Sequence, residues 1–193
     1  MENINPQEVG SYNDFTKVDS FILLSSGFNF DFNQPEKSFI FIEDIAHGLS
    51  NLCRFNGHCD KFYSVAEHSV LCSYLVEPGF EYAALMHDAS EAYLGDISTP
   101  LKKLLPDYRV IEDKVEKAIF EAMYVPYPLP KEVKRADLTA LAIEKRDLMP
   151  YSNIPWTILE GIVIPPGFEA RGASPSLAKA MFMNRYLELT SKN

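Results

Sequence analysis

Four residues able to hold a metal ion fall on three separate helical segments of this chain, where each is directed towards the interior. His68 lies with Val65, Cys72 and Leu75 on one face of a helix expected over residues 64–76. His87 and Asp88 belong to an Ala-rich helix expected over residues 80–93, which Gly95 would stop. Asp137 sits four residues from both Val133 and Leu141, so a helix over residues 131–148 carries it into the same core. Such a chain must gather three helices around a polar interior. An ionised carboxylate placed there needs a partner or a metal, because burial costs it several kcal/mol of solvation.

The rest of the chain is also mostly helical. Ile45, Leu49 and Leu52 mark a first helix, followed by the Asn56-Gly57 turn pair. After Pro106, Ile111, Val115, Ala118, Ile119 and Ala122 repeat at helical spacing, opposite a charged run over residues 112–117 that reads as a solvated, structural face. Ser174 as cap and Pro175 at the first position open a last helix. Residues 38–42 (SFIFI) suggest a short strand. No repeat, low-complexity tract or composition shift marks a linker, and 193 residues that are 47% hydrophobic suffice for one core. The expected fold is all-α, a single compact domain over residues 1–193 with a short N-terminal β element.

Charge and composition narrow the function. A net charge of −9 repels a nucleic-acid polymer, which binds through many phosphate contacts, whereas two or three placed cations suffice for a small anion. No stretch approaches the roughly 18 apolar residues of a membrane span, and residues 1–10 (MENINPQEVG) are too polar for a signal peptide. A cytoplasmic protein without a membrane partner is expected. Cys53, Cys59 and Cys72 are odd in number and form no CxxC pair, so they read as ordinary thiols.

Neutral imidazole and carboxylate suit Zn, Co, Mn or Fe, and two of each leave positions for water and substrate. Glu91 follows Asp88 by three residues and His87 by four, so on a continuous helix it shares their face as a candidate base. The order His68, His87-Asp88, Asp137, embedded in the words YSVAEHS (63–69), HDASEAYLGDISTPLK (87–102) and RADLTALAIEKRDL (135–148), resembles the HD-domain metal-dependent phosphohydrolases. Within that class the words resemble the HD-type 5′-deoxynucleotidases and the small phage deoxyadenosine triphosphate triphosphohydrolases.

The resemblance covers roughly residues 40–190 and implies an HD-domain helical bundle in which His68, His87, Asp88 and Asp137 hold one divalent transition metal. Such an ion lowers the pKa of a water it binds to about 7, and Glu91 would orient or deprotonate that water. Asp96, in the GDI segment, matches a family position close to the reacting phosphate. Arg54 stands where the nucleotidases carry a phosphate-binding arginine, and Lys102 matches the lysine of the TP.K word. Phe55 follows Arg54 where those enzymes have tryptophan, which keeps an aromatic wall but loses an indole donor, so base and sugar preference do not carry over. His58, in the NGH turn, either touches substrate phosphate or serves the turn, while His47 and Trp156 read as structural.

The function implied is hydrolysis of a deoxynucleotide. In the preferred version water attacks the α-phosphorus of a deoxynucleoside triphosphate and releases deoxynucleoside and triphosphate, with a second ion such as Mg²⁺ on the tail. The chain's small size and the short spacing between His68 and His87 favour it. The alternative is a 5′-deoxynucleotidase that releases phosphate from monophosphates. A homo-oligomer is implied by the resemblance alone, and the GYP motif of HD enzymes that cleave cyclic dinucleotides does not occur. A reading from another class, a non-catalytic metal-containing binding domain, would need neither Glu91 nor Asp96.

Overall fold

A computed structural model describes residues 20–191, and the polar segment of residues 1–10 lies outside them. The fold is all-α with a short N-terminal β element. Strands β1 (Phe21–Leu23) and β2 (Asn29–Asp31) form an antiparallel hairpin with Phe21 opposite Asp31. The strand expected over residues 38–42 is not formed. Phe39 and Phe41 pack on Phe28, with ring centroids 5.2 and 5.4 Å from it, and the chain becomes helical at Ile42. An apolar alternation makes a strand only where a neighbouring edge can take its backbone hydrogen bonds, and here the hairpin pairs with itself.

Helix α1 (Ile42–Asn51) buries Ile45, Ala46 and Leu49. Helix α2 (Val65–Leu75) starts at Ser64, whose hydroxyl accepts from the Glu67 N–H, an arrangement that satisfies one of the free donors of a first turn. Val65, Ala66, His68, Val70 and Cys72 are all buried and point in several directions around the helix, so α2 runs through the core rather than over it. It packs against α1, α3 (Glu81–Met86), α7 (Lys131–Leu148) and α8 (Pro175–Thr190). Ser174 caps α8 by accepting from Leu177 N–H, with Pro175 following. Between α3 and α7 lie α4 (Glu91–Leu94), α5 (Thr99–Lys102) and α6 (Pro106–Ala122). Among the described residues no helix is long and apolar enough to cross a membrane.

The helix expected over residues 80–93 is broken. α3 ends at Met86 and α4 begins at Glu91, with a tight turn between them held by Ala89 N–H to Met86 O at 3.0 Å and Glu91 N–H to Asp88 O at 2.9 Å. Its start, Ala-rich body and Gly95 stop were read from composition, which a change from i−4 to i−3 bonding leaves untouched.

Gly48 sets how closely α1 and α4 approach. A Cβ there would stand 2.8 Å from Ala92 O and 2.9 Å from its Cβ, so only glycine admits α4 at this distance. The position of Glu91, at the start of α4, depends on that contact.

Candidate metal centre

His68 comes from α2, His87 from the end of α3, Asp88 from the turn that follows and Asp137 from α7. His68 is 0% exposed and His87 is buried. The two imidazoles meet through their Nε2 atoms, 3.3 Å apart. Asp137 Oδ1 is 3.3 Å from His68 Nε2, and Asp88 Oδ2 is 3.2 Å from His87 Nε2 and 3.6 Å from His68 Nε2.

The other nitrogen of each ring is already used. His87 Nδ1 faces the Ala84 carbonyl at 2.8 Å, one of the carbonyls left free at the end of α3. His68 Nδ1 faces Glu144 Oε1 at 2.5 Å. An acceptor opposite Nδ1 fixes the proton there and leaves Nε2 bare in a neutral imidazole. Two imidazole Nε2 atoms and two carboxylate oxygens thus converge, an arrangement that a positive charge, whether a proton or a cation, would match.

The same demand shows in the titrating groups. Burial and the Arg54 charge oppose protonation of His68, but Cys72, Glu144 and Asp137 outweigh them and raise its pKa well above the usual imidazole value. Burial acts against ionisation of Asp88 and Asp137 as well, yet the neighbouring imidazoles hold both carboxyls below the usual range.

Ligand bonds of about 2.1 Å put neighbouring ligand atoms about 3.0–3.4 Å apart in octahedral or tetrahedral sites. Three of these separations, at 3.2–3.3 Å, fit that spacing, and His68 Nε2 to Asp88 Oδ2 at 3.6 Å lies just outside it. His68, Cys72, His87 and Asp137 form a group that could hold a metal ion, their ligand atoms lying within 4.8 Å of one another. Cys72 Sγ, however, is 3.5 Å from His68 Nε2 and 4.0 Å from Nδ1. Near-equal distances place the sulfur beside the ring, not beyond Nε2 where a ligated ion lies. Burial also pushes the Cys72 thiol up to about 11 when no ion is bound.

Arg54 lies in a one-turn 3₁₀ helix (Arg54–Gly57) after α1. Its NH2 donates to Glu144 Oε2 at 2.9 Å and its NH1 is 3.9 Å from Asp88 Oδ2, which brings a guanidinium to the edge of the group. Phe55 and Asn56 take left-handed backbone with φ of 54° and 52°, a conformation costly for non-glycine residues that turns Arg54 and Phe55 back towards α7. The Arg54 guanidinium rests 5.3 Å from the Phe55 ring, and Trp156 packs against the same ring at 6.1 Å. His58 ends the turn exposed, and its side chain makes no hydrogen bond or ion pair among the described residues.

Glu91 is buried, and its Oε2 has no hydrogen-bond partner. Burial, with the charges of Asp88 and Asp96, pushes its carboxyl well above the usual range. Burial and Asp88 raise Asp96 too, against Arg54. Lys102, on α5, places Nζ 3.6 Å from Glu91 Oε1 and 2.5 Å from Glu112 Oε1. The charged face of α6 is therefore not all solvated, as Glu112 grips Lys102 and half-buried Glu116 is pushed up to about 7 by burial, Glu112, Asp113 and Asp88.

Glu144 was not singled out in the sequence. Its place seven residues after Asp137 puts it two turns along α7 on the same face, a spacing that would have found it once Asp137 was directed inward.

The fold and this group define a class: all-α proteins that bring together, from separate helices, a buried His/Cys/Asp cluster that could hold a metal ion. The chain is 47% identical over 171 residues to the "Uncharacterized protein YfdR" of Escherichia coli (strain K12), covering 89% of this chain and 96% of that protein. It is 40% identical over 131 residues to the "Uncharacterized protein RCAP_rcc00048" of Rhodobacter capsulatus, covering 63% of this chain and 67% of that protein. No protein-family profile matches the chain. The chain belongs to the family of Escherichia coli YfdR.

Proposed function

We propose that this protein is an HD-domain, metal-dependent phosphohydrolase of deoxynucleotides, with deoxynucleoside triphosphates as its preferred substrates. The observation that carries the reading is the convergence of His68 Nε2, His87 Nε2, Asp88 Oδ2 and Asp137 Oδ1, beside a buried carboxylate oxygen of Glu91 that lacks a partner. These four side chains hold one divalent ion of the Zn, Co, Mn or Fe kind, which when bound acidifies water and draws charge from a phosphoryl oxygen.

Glu91 Oε2 takes the proton of the attacking water. Burial and the neighbouring charges of Asp88 and Asp96 raise its proton affinity above that of an ordinary carboxylate, which is the direction a general base needs. Water attacks phosphorus, the bond to the 5′ oxygen breaks, and that oxygen needs a proton. Asp96, close enough to Asp88 and Glu91 for their charges to act on one another, is assigned the role of supplying it. Arg54 and Lys102 receive the non-bridging oxygens, and their carboxylate partners hold them in place before substrate arrives. A triphosphate tail brings further negative charge towards Glu112 and Glu116 and calls for a second ion such as Mg²⁺. Phe55 forms the aromatic side of the same site.

Anion-exchange product analysis tests the reading, with the four deoxynucleoside triphosphates and their monophosphates each supplied with Zn²⁺, Co²⁺, Mn²⁺ or Mg²⁺. Intact triphosphate as product is the expected result. Phosphate released from monophosphates alone would make the protein a 5′-deoxynucleotidase, and no turnover with any metal would overturn the nucleotide reading.

A further inference from the structure

Glu144 is 0% exposed, and each of its oxygens is used. Oε1 accepts a hydrogen bond from His68 Nδ1 at 2.5 Å, and Oε2 accepts one from the Arg54 guanidinium at 2.9 Å. A buried carboxylate is retained only with partners of this strength. Burial works against its charge, but Arg54 and His68 keep its pKa below the usual value. Both partners belong to the site: one turns Nε2 towards the ligand cluster, and the other stands 3.9 Å from Asp88.

The two imidazoles are held differently. His87 leans on a backbone carbonyl, whereas His68 leans on a full negative charge, which makes its Nε2 the more electron-rich donor. Asp88, Asp137 and Glu144 bring three negative charges, set against Arg54 and against Lys134, whose Nζ donates to Asp137 Oδ2 at 2.7 Å, so a net negative charge remains for a cation to match.

We propose that Glu144 is a positioning residue that couples the metal subsite to the phosphate subsite. It locks His68 in the tautomer that offers Nε2, and with its second oxygen it fixes Arg54 beside Asp88. The inference rests on the reading of His68, His87, Asp88 and Asp137 as metal ligands. A change at Glu144 therefore weakens cation and anion binding together, although Glu144 touches neither ligand.

The test uses the full chain and its Glu144→Gln variant. Co²⁺ affinity is measured by competition with a chromophoric chelator, the Co²⁺ visible spectrum is recorded, and inorganic phosphate is titrated into the Co²⁺-loaded protein. The expected result is a Co²⁺ affinity lower by about 10- to 100-fold, an altered spectrum and weaker phosphate binding, the range expected when the partner of a ligating imidazole is removed. A variant that binds Co²⁺ within twofold of the wild type with an unchanged spectrum overturns this inference alone. A wild-type protein that binds no Co²⁺ overturns it together with the metal reading. Should the variant fail to fold, ¹⁵N-histidine NMR of the Zn²⁺-loaded wild type decides instead. A far-downfield, slowly exchanging Nδ1 proton on His68 is expected, and a His68 with no proton on Nδ1 overturns the proposal.

Discussion

His68 and His87 face each other through Nε2 atoms 3.3 Å apart, and each ring already has its Nδ1 bound to an acceptor. Two imidazoles in a buried site flanked by the carboxylates of Asp88 and Asp137 call for a positive charge among them, which a bound ion would supply.

Metal removal should therefore loosen the whole domain. An ion present at a hundredfold its Kd adds about 2.7 kcal/mol to stability, which for a chain of this size is about 5–10 °C in Tm. Dialysis against a chelator should lower Tm by that amount, and Zn²⁺ or Co²⁺ should restore it. The Asp137→Ala variant should show no such shift in differential scanning calorimetry.

Glu91→Gln separates the base from the ligands. The amide keeps the shape of the side chain and the approach to Lys102 but cannot take a proton. Hydrolysis should fall by about 10²–10⁴-fold, the usual contribution of a positioned base, while the metal-induced rise in Tm persists. Undiminished turnover would remove Glu91 from the reaction.

Gly48→Ala tests the packing that seats α4. Alanine gains about 1 kcal/mol in helix propensity over glycine, but its methyl would meet the Ala92 carbonyl at 2.8 Å, and backbone cannot swing away. Overpacking of this kind costs about 1–3 kcal/mol and, against backbone that cannot move, should prevail, with a net loss of up to about 2 kcal/mol in denaturant unfolding. Turnover should fall as well, because Glu91 opens the displaced helix. A stabilised, fully active variant would show that the contact does not constrain the site.

Much of this was legible in the sequence. Ile45 and Leu49 gave α1, Ser64 opened α2, and Ser174 with Pro175 opened α8, because helical spacing and caps are local signals. The register of Asp137 with Val133 was enough to send it inward. Other features depend on neighbours distant in the chain. Glu144 acquires its meaning only beside Arg54, 90 residues away, and Gly48 only against Ala92. The turn at His87 changes bonding but not composition, and two strands of three residues carry too little periodicity to be seen.

Glu116 gives a pH signature. Its carboxyl is raised from 4.5 to about 7 in the folded protein, so folding favours the protonated form. The sign follows from proton binding: below pH 4.5 both states are protonated and nothing is lost, between 4.5 and about 7 the folded state pays an increasing penalty, and above that the penalty is constant. Glu116→Gln should therefore raise Tm at pH 8 and match the wild type near pH 4. A difference in Tm that is the same at both values would show that Glu116 ionises freely.

Anomalous X-ray scattering at the zinc edge, from crystals of the protein loaded with Zn²⁺, tests the central claim most directly. One peak is predicted between His68 Nε2, His87 Nε2, Asp88 Oδ2 and Asp137 Oδ1, with Cys72 Sγ outside bonding distance. An ion ligated by Cys72 in place of Asp88, or no ion between the two imidazoles, would contradict it.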